Sequence, residues 1–431
     1  MRLPGQLSAA IEVLTDIAAR HRPASSALRD WGLGHRFAGS GDRAAIGNIV
    51  YDALRNRRSL AWRMNADTPR ALVLAVAGLR WRIDPHELAD MIDADPHGPG
   101  ALEADEMQCL REARSMSDAP EAIQADIPDW CLDQVKASFS VGWLTECQAL
   151  TGRPPLDLRV NTLKSEREKA LRQLARVKPE ACRLSPIGIR IPPTDAARRH
   201  PNIQSDEAWQ RGRVEVQDEG SQICALLAGL KPGDQVLDLC AGAGGKSLAF
   251  AAIMENRGQV YAYDFDRNRL AAIYDRLKRA GARNVQVRQP DEGALADLAD
   301  KMDVVFVDAP CSGSGVWRRH PDAKWRLTPQ ALQSRLEEQV AALDQAAKFV
   351  RPGGTLVYAT CSVFADENQR QVEAFRARFP RFQPVALEER FAELTGGGVS
   401  DAHFPAAGAI QLTPARSGTD GFYLACLCRD Q

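Results

Sequence analysis

The spacing of apolar and polar positions changes character twice along the chain. Up to about residue 125, apolar residues recur three and four positions apart, over Leu7 to Ala19, Asp42 to Met64 and Pro69 to Trp81, with breakers at Pro23 and Gly39 to Gly41. That is the period of helices with one buried face. Nothing here alternates with period two, so residues 1–125 are predicted to be all-helical. After the stretch Asp126 to Trp130, short strand-like runs appear at Leu158 to Asn161 and Ile187 to Ile191, which predicts a small α+β segment over 126–215. A helix from about Gly220 to Leu230 follows, stopped by Lys231-Pro232-Gly233-Asp234.

From Gln235 strands and helices alternate. Strands are predicted at Gln235 to Leu239, Gln259 to Asp264, Asn284 to Gln289, Asp303 to Ala309 and Thr355 to Cys361, with helices such as Asp266 to Ala280, Pro329 to Val350 and Asp366 to Ala377. This repetition predicts a Rossmann-like α/β domain over 216–431, a mostly parallel, doubly wound sheet. The last strand-like runs, about Ile410 to Thr413 and Phe422 to Arg429, follow a Gly-rich loop at Gly396 to Gly398 and are expected to close the sheet antiparallel.

Composition narrows the class. Of 431 residues 45% are hydrophobic and 26% charged, inside the globular range. The apolar run Ala71 to Leu79 is about half of what a bilayer span needs, and Glu12 and Asp16 interrupt the stretch a secretory signal would use. A cytoplasmic protein without a membrane partner, acting as a monomer, is expected. Ten cysteines show no paired CxxC sets, so no metal is expected and most thiols should be reduced core residues. The net charge of −1 excludes a global basic field, but residues 1–80 carry twelve Arg against six acids and residues 81–130 three basic groups against thirteen acids. Such blocks either steer a polyanion to one face or are ordinary solvated helix surface.

The run Asp238-Leu-Cys240-Ala241-Gly242-Ala-Gly244-Gly245-Lys246-Ser247 follows the first predicted strand of the sheet and precedes a helix. A Walker loop would need Gly where Cys240 stands, and a dinucleotide fingerprint needs Gly or Ala where Ser247 stands. An acid at the strand end before a Gly-rich turn instead suits S-adenosylmethionine (SAM). Asp264, at the end of the second strand, would accept hydrogen bonds from the ribose hydroxyls, and Asp291, after the third, one from the adenine amino group. Asp266 reads as a helix N-cap.

The fourth and fifth strands each end in a thiol, in Asp308-Ala-Pro310-Cys311-Ser-Gly313 and Thr360-Cys361-Ser362. Carbon-5 of cytosine is a poor nucleophile, and adding a thiolate to carbon-6 makes it enamine-like. A carboxyl group at N3 stabilises the charge that develops, and a base must later remove the carbon-5 proton. Asp308 and the two thiols supply the groups for those steps. Either cysteine alone reads as a core thiol, but two of them, each in a polar small-residue turn facing the cofactor, argue against that reading; Cys426 and Cys428 alternate with apolar residues and read as core.

At these residues the chain resembles the Sun/Fmu/RsmB family of SAM-dependent RNA cytosine carbon-5 methyltransferases. DLCAGAGGKS (238–247), VDAPCSGSGVWRRHPDAKW (307–325), ATCSVFADEN (359–368) and TDGFYLA (419–425) match its pattern, as do LRVNTLK (158–164) and VQDEGSQ (216–222). The resemblance covers residues 128–431. It implies that Cys361 is the nucleophile, that Cys311 assists release, that Asp308 and the Pro310 carbonyl read the cytosine edge, and that Lys246 lies in the active site. Glu367 and Asn368 would shape the helix after the nucleophile. SAM would meet Asp238, Cys240, Ala241, Gly242, Gly244, Lys246, Asp264, Arg269, Asp291 and Asp308, the Cys240 thiol itself packing.

The segment 35–60 resembles the NusB-like RNA-binding domain of ribosomal members, and 126–215 would be an RRM-like RNA-binding segment. Arg55, Arg57, Arg58, Arg159 and Asn161 are the candidate RNA contacts. The chain departs from the family at Gln289-Pro290, where Gly usually precedes the acid, and at Pro414-Ala415, where Pro-His is usual. The expected substrate is small-subunit (16S) ribosomal RNA, free or in an early particle. Alternatives are a transfer RNA, a DNA cytosine methyltransferase using the Pro-Cys thiol, or a non-catalytic SAM- and RNA-binding assembly factor.

Overall fold

The computed structural model describes residues 1–194, 198, 201–396 and 399–431. Gly397 and Gly398 of the expected Gly-rich loop lie outside them. The chain divides into two units. One holds Met1–Pro154, Pro193–His200 and Trp317–Leu327, the other Pro155–Pro192, Pro201–Val316 and Thr328–Gln431. This differs from the expected divisions at 125 and 215: helices continue to Trp143–Ala149, and the small sheet groups with the large one.

The first unit is helical because its apolar stripes have only one another to cover them. In the helix Leu3–Arg20, Leu7, Ala10, Leu14 and Ile17 form one buried face against Ile46, Ile49 and Val50 of Ser40–Arg55. The helix expected to run to Met64 breaks at Asn56, whose amide donates to the Asp52 carbonyl, and restarts as Arg57–Met64. Thr68 caps the helix Pro69–Ala75, which widens into a π turn over Val76–Arg80, with the Trp81 N–H reaching back to the Val76 carbonyl. The segment Trp317–Leu327 belongs to this unit although the thiol-bearing loop precedes it in sequence. Helix ends leave carbonyls without helical partners. At the end of Ser40–Arg55 they are met from this segment, Leu54 by the Trp325 indole at 2.7 Å and Arg55 by the Lys324 ammonium at 3.1 Å.

The second unit contains two sheets. The strands are β1 Leu156–Val160, β2 Glu180–Ala181, β3 Gly188–Ile191, β4 Val214–Val216, β5 Gln235–Asp238, β6 Gln259–Tyr263, β7 Val285–Arg288, β8 Met302–Asp308, β9 Val350–Thr360, β10 Phe382–Pro384, β11 Ala409–Leu412 and β12 Phe422–Arg429. The small sheet is antiparallel, in the order β2-β3-β1-β4. Paired across β1 and β3, Arg190 bridges the buried carboxylates of Asp157 and Glu219, tying this sheet to the helix Glu219–Leu227. Cys182 lies with those two acids inside 4.8 Å, and the guanidinium already offsets their charge.

The large sheet runs β10-β12-β9-β8-β5-β6-β7, parallel from β9 to β7, with β12 antiparallel to β9 and β11 paired to β12. Both faces are covered. Val304 and Phe306 of β8 pack on one side, Val305 and Val307 on the other. The expected Rossmann-like sheet with its antiparallel closure is present.

Candidate active site

Neighbours of β5 are β6 on one side and β8 on the other, so the chain winds outward both ways from it. In such sheets the crevice at the carboxyl ends of the strands is the binding place. Asp238 ends β5, wholly buried, one carboxylate oxygen accepting from Ser247 Oγ at 2.6 Å and the other without a partner. Burial is the main cause that pushes its pKa up to about 7. The turn after it uses left-handed backbone at Gly242 (φ 51°) and Gly244 (φ 81°), and a Cβ on Gly244 would strike Ile273. Asp264, also wholly buried, accepts the Gly242 N–H at 2.8 Å and the Asp266 N–H at 2.9 Å, so it locks the turn to the end of β6.

These groups suit SAM: an orphaned acid oxygen behind a Gly-rich turn, and a carboxylate at the next strand end. Cys240 and Ala241 lie in the same turn, the Cys240 thiol held protonated by burial. Arg269 Nη1 lies 4.0 Å from Asp264 and is half exposed. Asp291 is exposed and pairs with Arg267 at 2.8 Å. An exposed Phe265 ring next to Asp264 was not anticipated; its position one residue past the strand-end acid was the available signal.

The thiols of Cys311 and Cys361 stand 3.4 Å apart, at the ends of the adjacent parallel strands β8 and β9. The Cys361 thiol as hydrogen-bond partner, then burial, then the charge of Cys361 hold the Cys311 thiol well above the ordinary range. Asp308 ends β8, and the Lys246 ammonium donates to it at 2.6 Å. Burial pulls the lysine pKa down, but the Asp308 carboxylate, the nearby Cys224 and that hydrogen bond raise it overall. The ammonium also sits 5.6 Å over each of the rings of Phe306 and Phe422.

Both thiol loops hang on one buried carboxylate. Glu367 accepts the Ser312 N–H at 2.7 Å, the Ser312 and Ser362 hydroxyls, and the Gln339 amide at 3.1 Å. Gln339 also donates to the Pro310 carbonyl at 2.9 Å, so one lone pair of that oxygen is already taken. Asn368 receives the Thr360 hydroxyl at 2.6 Å and donates to the Ser362 carbonyl at 3.0 Å. Glu367 and Asn368 were expected only to shape the following helix. Gln339, 28 residues upstream of Glu367, carried no signal in the sequence.

The RNA contacts expected at Arg55, Arg159 and Asn161 are not available in this structure. Arg55 is buried, bonded to Asp52 at 2.9 Å and to the Arg318 carbonyl at 2.6 Å, and burial lowers its pKa to about 10. Arg159 is 2% exposed and donates to Gln217, and Asn161 donates to the carbonyls of Gly212 and Ala280. Arg57 forks onto Asp67 and Arg58 pairs with Asp129, so their charges are already met.

Comparison with known proteins agrees with this geometry. The family model described as 16S rRNA methyltransferase RsmB/F matches residues 225–428, and the ferredoxin-like domain of the same family matches 127–194. The ribosomal RNA small subunit methyltransferase B of Citrobacter koseri is 31% identical over 424 residues, covering 90% of this chain and 91% of its own. Among solved structures, NSun6 from Pyrococcus horikoshii covers 70% of this chain and 98% of its own (TM-score 0.60, 22% identity). A methyltransferase homolog protein from the same organism covers 73% and 100% (TM-score 0.58, 24% identity), and both share the fold. The chain is an enzyme, a methyltransferase whose cofactor is SAM. With that identity along nearly the whole of both chains, it belongs to the ribosomal RNA small subunit methyltransferase B family.

Proposed function

We propose that this chain methylates carbon-5 of a cytosine in 16S ribosomal RNA, through a covalent bond between Cys361 and carbon-6. The observation that carries the reading is the pair of thiols 3.4 Å apart at two adjacent strand ends, beside the Asp308–Lys246 ion pair. The small-subunit target comes from the names of the relatives. The base must be single-stranded or flipped out of its stack to meet Cys361. The ten free cysteines suit a reducing cytoplasm.

When bound, SAM supplies a methyl group made electrophilic by its sulfonium charge. The Cys361 thiolate adds to carbon-6, and the displaced electron pair gives carbon-5 the nucleophilicity it lacks. Asp308 holds the Lys246 ammonium at the ring edge, and the ammonium offsets the negative charge that develops there. Once Cys361 is bonded to carbon, its hydrogen bond with the Cys311 thiol, the largest cause of that thiol's raised pKa, is gone. Cys311 then gives its proton to solvent, and the resulting thiolate takes the carbon-5 proton. The electrons of that C–H bond restore the ring double bond, and Cys361 leaves as thiolate.

The test is transfer of labelled methyl from SAM to deproteinised RNA from a strain lacking the gene. Cys361→Ala is expected to bind SAM and transfer nothing, and turnover in that variant would overturn its assignment as nucleophile. Cys311→Ala is expected to leave an SDS-resistant protein–RNA adduct, whose absence would remove its role in release.

A further inference from the structure

We infer that the helical unit holds RNA backbone phosphates at Arg63, Arg80 and Arg82, well away in sequence from the strand-end chemistry. The inference rests on the RNA reading above and names the surface that would grip the substrate. Among the described residues the side chains of these three arginines make no hydrogen bond, ion pair or ring contact. Arg55, Arg57 and Arg58, by contrast, each have a carboxylate.

All three line a single cavity of about 500 Å³, whose other walls include Asn56, Gln124 and Gln148. The one carboxylate in that lining, Asp126, does not offset them. It is buried and accepts the backbone N–H groups of Arg58 and Ser59 at 2.8 and 3.0 Å, and burial raises its pKa. Three guanidinium groups around one hollow repel each other unless an anion joins them. Their planar forks match phosphate oxygens.

The backbone is shaped to place them. Arg80 closes the π turn, and Arg82 has φ +58°, a left-handed conformation that residues with a Cβ avoid. Between them Trp81 turns its indole N–H to Asp52 at 2.9 Å, which leaves both arginines exposed. The hollow is larger than one phosphate needs and suits a stretch of nucleic-acid backbone.

The experiment compares the full chain with its Arg63→Gln/Arg80→Gln/Arg82→Gln form, using deproteinised small-subunit ribosomal RNA as probe. Affinity is measured by filter binding from about 50 to about 200 mM salt. The triple variant is expected to bind about tenfold or more weakly, with the slope of log affinity against log salt reduced by about 2. Arg335→Gln, which removes a surface ion pair elsewhere, controls for charge. Since the three side chains have no partners, thermal midpoint and SAM affinity should stay at wild-type values, which checks folding. Unchanged affinity and slope, with wild type binding, would overturn this site alone. A wild-type chain that holds no RNA would overturn the RNA reading beneath it.

Discussion

Glu367 shows how much of this site depends on a single buried group. Its carboxylate accepts from both serines that follow the two thiols, so one side chain ties the Cys311 loop to the Cys361 loop. Replacing it with Gln puts an amide N–H₂ where N–H and O–H donors converge, a mismatch of about 1–3 kcal/mol. Glu367→Gln is expected to keep SAM affinity, lower the thermal midpoint and slow methyl transfer about tenfold to a hundredfold. Transfer at the wild-type rate would show that the thiols hold their spacing without it.

Asp238 makes a prediction in pH. Burial raises its pKa from 3.8 to about 7. A carboxyl group with a raised folded-state pKa contributes its full stability below the unfolded value and loses it as pH rises through the folded one. Wild-type stability should therefore fall between about pH 4 and 7 by a share that Asp238→Asn lacks. The urea midpoint of the Asn variant relative to wild type is expected to climb across that range, and a constant difference would show that Asp238 does not titrate there.

At the scale of elements, one close fit is between two glycines. The loop after β8 and the turn before β12 cross at Gly315 and Gly421, with the Gly421 N–H donating to the Gly315 carbonyl at 2.8 Å. A Cβ on Gly421 would stand 2.6 Å from the Gly315 Cα. Gly315 in turn donates to the Cys361 carbonyl at 3.0 Å, so parting the crossing moves both thiol loops. Gly421→Ala is expected to cost about 1–3 kcal/mol in urea unfolding and to reduce methyl transfer about a hundredfold while sparing SAM binding. Wild-type transfer with reduced stability would confine the crossing to a packing role.

Strands β5, β6, β8 and β9 were legible because their apolar runs and turn residues are local. The break at Asn56 and the π turn were not. Each depends on a particular hydrogen bond, from Asn56 to the Asp52 carbonyl and from the Trp81 N–H to the Val76 carbonyl, which leaves the helical period almost unchanged.

For the whole molecule, the helical unit is assembled from three separate stretches of chain. Trp317 and Lys324 are almost wholly buried within it, and burial lowers the pKa of the Lys324 ammonium to about 8. A chain beginning at residue 155 would keep Trp317–Leu327 but lose the helix end whose carbonyls it meets. Such a chain is expected to unfold at a lower temperature than the full protein and to be cut by trypsin within that segment. Equal protection in both chains would show that the segment holds its shape without the helices.

The order of strands and helices, the three acids at successive strand ends and the two thiols were determined by the sequence itself. Periodicity and strand-end position need only neighbours along the chain. Tertiary structure alone decided which charges have partners. Arg57 and Arg63 look alike in sequence, but Arg57 has Asp67 within 2.9 Å while Arg63 faces an open hollow. It also decided that Glu367 and Gln339 serve the thiol loops. A hydrogen bond acts over about 3 Å of space whatever the separation along the chain, and only folding sets which groups come that near.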